Sequence, residues 1–163
     1  SVSFLCVNYM KLSFSCASLL SFAAHMCAEY PDVQDRLYQE ILNNNNNNID
    51  HILSLKYLDC FIKEINRLYP PEPYLSCNTK KTTNLGGYEI DQDSLVVFCV
   101  YTMHRHPRFW ERPEDFWPDR FLYDDFRDKY WDFPLKNNFY LYQTRILLFF
   151  LVKNFRFLKK EGG

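Results

Sequence analysis

Residues 55–73 read LKYLDCFIKEINRLYPPEP. Leu55, Leu58, Ile62 and Ile65 recur at alternating intervals of three and four residues, the repeat of one helix face. Pro70, Pro71 and Pro73 end that helix, because proline lacks the N–H that the hydrogen-bond ladder requires and its ring clashes with the preceding turn. Glu64 and Arg67 stand three apart on the same helix, which brings a carboxylate and a guanidinium to neighbouring positions. Taken alone, such a pair is a surface ion pair worth about 0.2–0.5 kcal/mol.

Residues 1–42 predict two helices. Residues 13–29 are rich in Leu, Ala, Phe and Ser with no charge before Glu29, which suits a helix buried on several sides. Pro31 and Asp32 open a second, amphipathic helix with Val33, Leu37 and Ile41 on its apolar stripe. The asparagine run 43–48 can bury nothing and predicts a solvated loop, followed by the helix and proline turn of residues 49–73. Residues 74–102 predict a small β region: a hairpin about Gly86 and Gly87, then one buried strand at 95–101. Residues 103–122, with three prolines among aromatic and charged side chains, predict an ordered meander. An atypical segment, 123–138, precedes a last helix at 139–157. The fold class is therefore mainly α with a small β component, in a single partial domain over 1–163.

Composition excludes several functions. With 47% hydrophobic and 24% charged residues the chain is of globular type, and its net charge of -1 gives no electrostatic reason to bind nucleic acid or an anionic membrane surface. The six cysteines form no CxxC pair and no zinc-spaced cluster, and those in apolar runs suit a reduced, intracellular environment. Asn8, Lys11 and His25 interrupt the first apolar stretch, which predicts no membrane-spanning segment, and no signal-peptide pattern is present. The stretch reads as a core helix cut from something longer.

The helix at 55–73 resembles the cytochrome P-450 helix that carries the ExxR motif, and FWPDRF at 116–121 resembles the family's PERF-like element. AEYPDVQDRLYQEI at 28–41, GYEI at 87–90 and MHRHP at 103–107 resemble further landmarks of the family in the same order. The wording LKYLDCFIKE and HRHP is most similar to the family 4 type. The resemblance implies the C-terminal part of the P-450 fold, with Glu64, Arg67 and Arg120 as a structural triad locking the helix against the meander. A carboxylate between two guanidinium forks is a sound buried arrangement, since charge-assisted bonds satisfy acceptors that would otherwise be costly.

The family's reaction is haem-dependent oxidation of a lipophilic substrate, such as a fatty acid, steroid or xenobiotic, with NADPH as electron source through a P-450 reductase. Its usual place is the endoplasmic reticulum membrane. The haem iron needs a cysteine thiolate on a glycine-bearing loop, yet no cysteine follows Cys99 and no glycine lies between Gly87 and Gly162. FYLYQTRILLFFLVKNFRF at 139–157 resembles the helix after the family's cysteine, which places the ligand position near Pro134, whose side chain cannot hold iron. Near Phe14 and Ser15 the family's oxygen-activating acid is lost and only a hydroxyl remains, and Cys77 stands where an arginine commonly meets a haem propionate. His25, His51, His104, His106 and Cys77 are available as alternative ligands, but no two histidines pair at metal spacing and no axial ligand is assigned. Two further readings stand beside an inactive enzyme fragment: a non-catalytic, truncated or mis-spliced remnant that binds no haem, and a small helical interaction module.

Overall fold

The computed structural model describes residues 2–43, 47–122 and 139–160, with side chains of the first helix described from Ser13 onward. The segment 123–138, with the Pro134 position inside it, lies outside the described residues. In chain order the elements are α1 (Val2–Glu29), α2 (Pro31–Asn43), α3 (Ile49–Ser54), α4 (Lys56–Leu68), β1 (Tyr74–Asn78), β2 (Thr83–Leu85), β3 (Tyr88–Ile90), β4 (Leu95–Cys99), α5 (Val100–Met103), a 3-10 turn (Pro118–Phe121) and α6 (Phe139–Asn154). The architecture is mainly α with a small β component.

The core lies where α1, α2, α4 and α6 meet. α1 contributes Leu19, Ala23, Met26 and Cys27, while the α2 stripe contributes Val33, Leu37 and Ile41. α4 adds Leu58, Phe61, Ile62 and Ile65, and α6 adds Leu148, Phe149 and Val152. The spacing of these side chains is the 3.6-residue repeat that gives each helix one buried face. Aromatic contacts extend the core toward the meander: Phe116 meets Phe61 edge-on at 5.6 Å between ring centroids, and Phe22 stacks on Tyr69 at 4.2 Å.

The helix at 49–73 is divided. Leu55 takes extended backbone angles, φ -67° and ψ 115°, and so serves both as C-cap of α3 and as N-cap of α4. Leu55 keeps its side chain in the core while the chain changes direction.

The β component also differs from the sequence expectation. β4 pairs antiparallel with β1, setting Leu75 opposite Phe98 and Cys77 opposite Val96, so a strand unanticipated at 74–78 is present. β4 is not a buried strand: Leu95 is 67% and Val97 56% exposed. Its sheet has two strands, and an apolar run predicts burial only when both faces of the sheet are covered. β2 and β3 form a hairpin across Gly86 and Gly87, whose φ angles of 60° and 95° are the left-handed values a tight two-residue hairpin turn requires. Among the described residues no helix is long and apolar enough to cross a membrane.

One polar side chain ties the helical layer together. Gln34 is buried on α2, where its Nε2 donates to the carbonyls of Cys27 at 3.1 Å and Phe157 at 3.0 Å, and its Oε1 accepts from the Phe157 amide at 2.7 Å. It thereby joins the end of α1 to the chain leaving α6. Replacing Gln34 with Leu would strand those backbone groups, and leaving buried polar groups unsatisfied costs about 1–3 kcal/mol. The expected outcome is a lower urea midpoint together with faster proteolytic cleavage between residues 155 and 160.

Candidate functional site

Glu64 sits two turns into α4, on the helix flank that faces the meander, and its side chain is fully buried with that of Arg67. Arg67 grips it in a fork: Nε donates to Oε2 at 2.8 Å and Nη2 to Oε1 at 2.9 Å. Arg120, on the 3-10 turn, donates from Nε to Oε1 at 3.0 Å, and the backbone amide of Trp117 donates to the same oxygen at 2.8 Å. The structure thus brings Glu64, Arg67 and Arg120 together, joined by a main-chain donor that no side-chain pattern could reveal. The isolated ion-pair reading of Glu64 and Arg67 does not describe this pair, because neither side chain touches solvent.

One carboxylate cannot neutralise two guanidinium groups, and the remaining donors are taken up by the meander backbone. Arg67 Nη1 donates to the carbonyls of His104 at 2.8 Å and Pro113 at 2.6 Å, and Nη2 donates to that of Asp115 at 3.1 Å. Arg120 donates to the carbonyls of Glu111, Arg112 and Asp115. Trp110 lies against the Arg67 guanidinium and Trp117 against that of Arg120, each 5.2 Å from ring centroid to Cζ. Arg112 adopts a positive φ of 47°, a conformation disfavoured for a non-glycine residue, and its carbonyl is among those held by Arg120. The arginines therefore set the path of a segment with little regular structure of its own.

This cluster can hold chain segments together, but it presents no group to a reactant. Its members are satisfied and sealed from water, and a catalytic acid, base or nucleophile must reach the atom on which it acts. The 290 Å³ cavity lined by Gln34, Asp35, Tyr38, Lys153 and Arg156 lies elsewhere, beside α2 and the end of α6.

The other residues singled out from the sequence are dispersed. Phe14 is exposed and Ser15 buried on α1, while Cys77 is exposed on β1. His25 is exposed on α1, and His51 lies in the last turn of α3. His106 accepts from the Arg108 amide through Nδ1 at 3.1 Å, within the meander. His104 is buried against Trp110, and burial, reinforced by the Arg67 charge, pushes its pKa down to about 4.

Comparison with known proteins places the chain in a family. The family profile described as cytochrome P450 matches residues 15–134, most of the chain. Cytochrome P450 3A5 of Homo sapiens is 34% identical over 74% of this chain and 24% of its own length. Cytochrome P450 3A9 of Rattus norvegicus is 30% identical over 96% of this chain and 33% of its own length. The probable cytochrome P450 4p3 of Drosophila melanogaster is 35% identical over 68% and 23%, respectively. The mainly α fold with its small β component is that of a partial cytochrome P450 domain. The chain belongs to the cytochrome P450 family, and it spans about a quarter to a third of the length of these curated relatives. Similarity extends to 3A and 4p3 members alike, so it identifies the family without singling out the family 4 type.

The family implies a haem cofactor, but the donor groups among the described residues do not fit its iron. No cysteine follows Cys99 in the sequence. Cys16, Cys27 and Cys60 are buried in packed core, and burial pushes the Cys27 thiol up to about 12, keeping it protonated when iron would need a thiolate. Cys99 Sγ is engaged with Thr102 Oγ1 at 2.9 Å at the end of β4. Among the described residues no three His, Cys, Asp or Glu side chains converge on a possible metal position.

The environment of His104 has a consequence for acid stability. Its folded pKa, about 4, lies below the ordinary value of 6.5, so the unfolded chain binds the proton more readily between those values. The stabilising contribution is complete above about pH 6.5 and is lost as pH falls toward 4. Urea midpoints measured from pH 7 to pH 4 should fall, and His104→Gln should flatten that dependence in the window from pH 6.5 down.

Proposed function

We propose that this chain supplies the scaffold region of a cytochrome P450 and contributes no catalytic side chain of its own. Glu64, Arg67 and Arg120 serve as the structural triad of that region. The observation that carries this reading is the sealed Glu64 carboxylate, bonded at once to α4, to the 3-10 turn and to the Trp117 amide. Charge-assisted bonds of this kind are strong when every donor is satisfied, and they fix geometry through the planar guanidinium forks.

In a complete protein the activity would be haem-dependent insertion of one oxygen atom of O2 into a lipophilic substrate such as a fatty acid, steroid or xenobiotic. Electrons would come from NADPH through a P-450 reductase, and the endoplasmic reticulum membrane would be the site of action. The protein's part in such chemistry is to bind and orient the cofactor and substrate.

For the chain as it stands, a second reading is favoured by a specific observation: it is a non-catalytic member that retains the packing triad and holds no haem by a thiolate. Pro134 near the expected ligand position, Phe14 and Ser15 near that of the acid, and Cys77 matching the propionate arginine all support it. The test is a carbon monoxide spectrum of the reduced chain after reconstitution with haem. The expected result is no thiolate-type Soret band. Appearance of that band would overturn the non-catalytic reading and identify a sulfur ligand among the six cysteines.

A further inference from the structure

α4 begins without a side-chain cap of its own. Its N-cap is Leu55, and the preceding hydroxyl, that of Ser54, donates to the His51 carbonyl of α3. The first amides of a helix need acceptors, and the positive end of the helix dipole favours an anion there. Glu40 of α2 supplies one from a distance. Its Oε1 accepts from the Tyr57 amide at 2.8 Å and its Oε2 from the Leu58 amide at 2.9 Å, so a single carboxylate closes the first turn of α4.

Arg36 lies one turn earlier on α2. It reaches the other half of the Glu64 cluster, with Nη1 2.7 Å from Asp119 Oδ1 in the 3-10 turn next to Arg120. Its guanidinium also lies over the Tyr57 ring, 4.0 Å from the centroid, and so touches the first turn of α4 at the same time. The Arg36–Asp119 pair is partly exposed, and by itself contributes less than about 1 kcal/mol. Its stacking on Tyr57 and its place one turn from Glu40 make it part of a larger clasp.

We propose that Arg36 and Glu40 are positioning residues, with which α2 sets the start of α4 and the 3-10 turn against one another so that Glu64 and Arg120 meet in register. This inference rests on the reading of Glu64 as the tie between helix and meander. It accounts for the spacing on α2: positions four apart lie on one helix flank, so one helix can hold both segments at once.

Hydrogen exchange of the Trp117 amide, which donates to Glu64 Oε1, reads the closure of the cluster directly. It is measured on the full chain, in stabilising osmolyte, and referred to the most protected amides of α6, which report global opening. Relative to that reference, Glu40→Ala and Arg36→Gln should each accelerate Trp117 exchange, the former on the order of tenfold, the factor that a lost helix cap corresponds to. Glu40→Gln, which keeps one acceptor, should give an intermediate value. The proposal is overturned if the ratio of Trp117 to α6 exchange is unchanged in both α2 variants while Glu64→Gln raises it. If Glu64→Gln also leaves the ratio unchanged, the tie itself is at fault, and the inference falls with it.

Discussion

A carboxylate removed from water between two guanidinium groups is the constraint on which this structure turns. Glu64 would be costly to bury alone, and so would either arginine. Together they carry one excess positive charge, which five backbone carbonyls of the meander offset by accepting the remaining guanidinium donors. This is why residues 104–115 can be ordered with little helix or strand. Five of their carbonyl groups are satisfied by arginine side chains instead of by a ladder, and two tryptophans lie against the guanidinium groups.

The helical layer serves that constraint. α4 must present Glu64 and Arg67 to the meander while its opposite flank packs on α1 and α6, and its ten buried positions show how little of it faces solvent. α2 has no part in the cluster itself, yet it carries Gln34, Arg36 and Glu40, which reach α6's trailing chain, the 3-10 turn and the start of α4, respectively. Among the described residues the rigid cluster is present, and no cysteine follows Cys99 in the sequence.

Much of this was legible in the sequence. The apolar repeat on α4 and the proline run after it marked the helix, and Val33, Leu37 and Ile41 marked the inner face of α2. Periodicity could not show the break at Leu55, because that residue keeps its place in the apolar stripe while only its backbone changes. Arg120 could be linked to Glu64 only through family resemblance, since the two are 56 residues apart and no local pattern spans that distance. Glu40 and Arg36 were invisible for a related reason: charged residues beside an apolar stripe read as solvent-facing, whereas here they are long enough to reach neighbouring segments. Nothing in YLSCN marks β1, since it alternates weakly and follows three prolines, and the apolar composition of β4 does not tell how many strands flank it.

The central claim, that the carboxylate of Glu64 and the guanidinium of Arg120 act as one unit joining α4 to the meander, is tested most directly by a double-mutant cycle. Unfolding free energies of the chain, Glu64→Gln, Arg120→Met and the double variant would be measured by urea denaturation in stabilising osmolyte. The account predicts strong coupling, with the double variant less damaged than the sum of the singles by about 2–3 kcal/mol, as expected for partners in one buried network. Losses that add to within about 0.5 kcal/mol would contradict it.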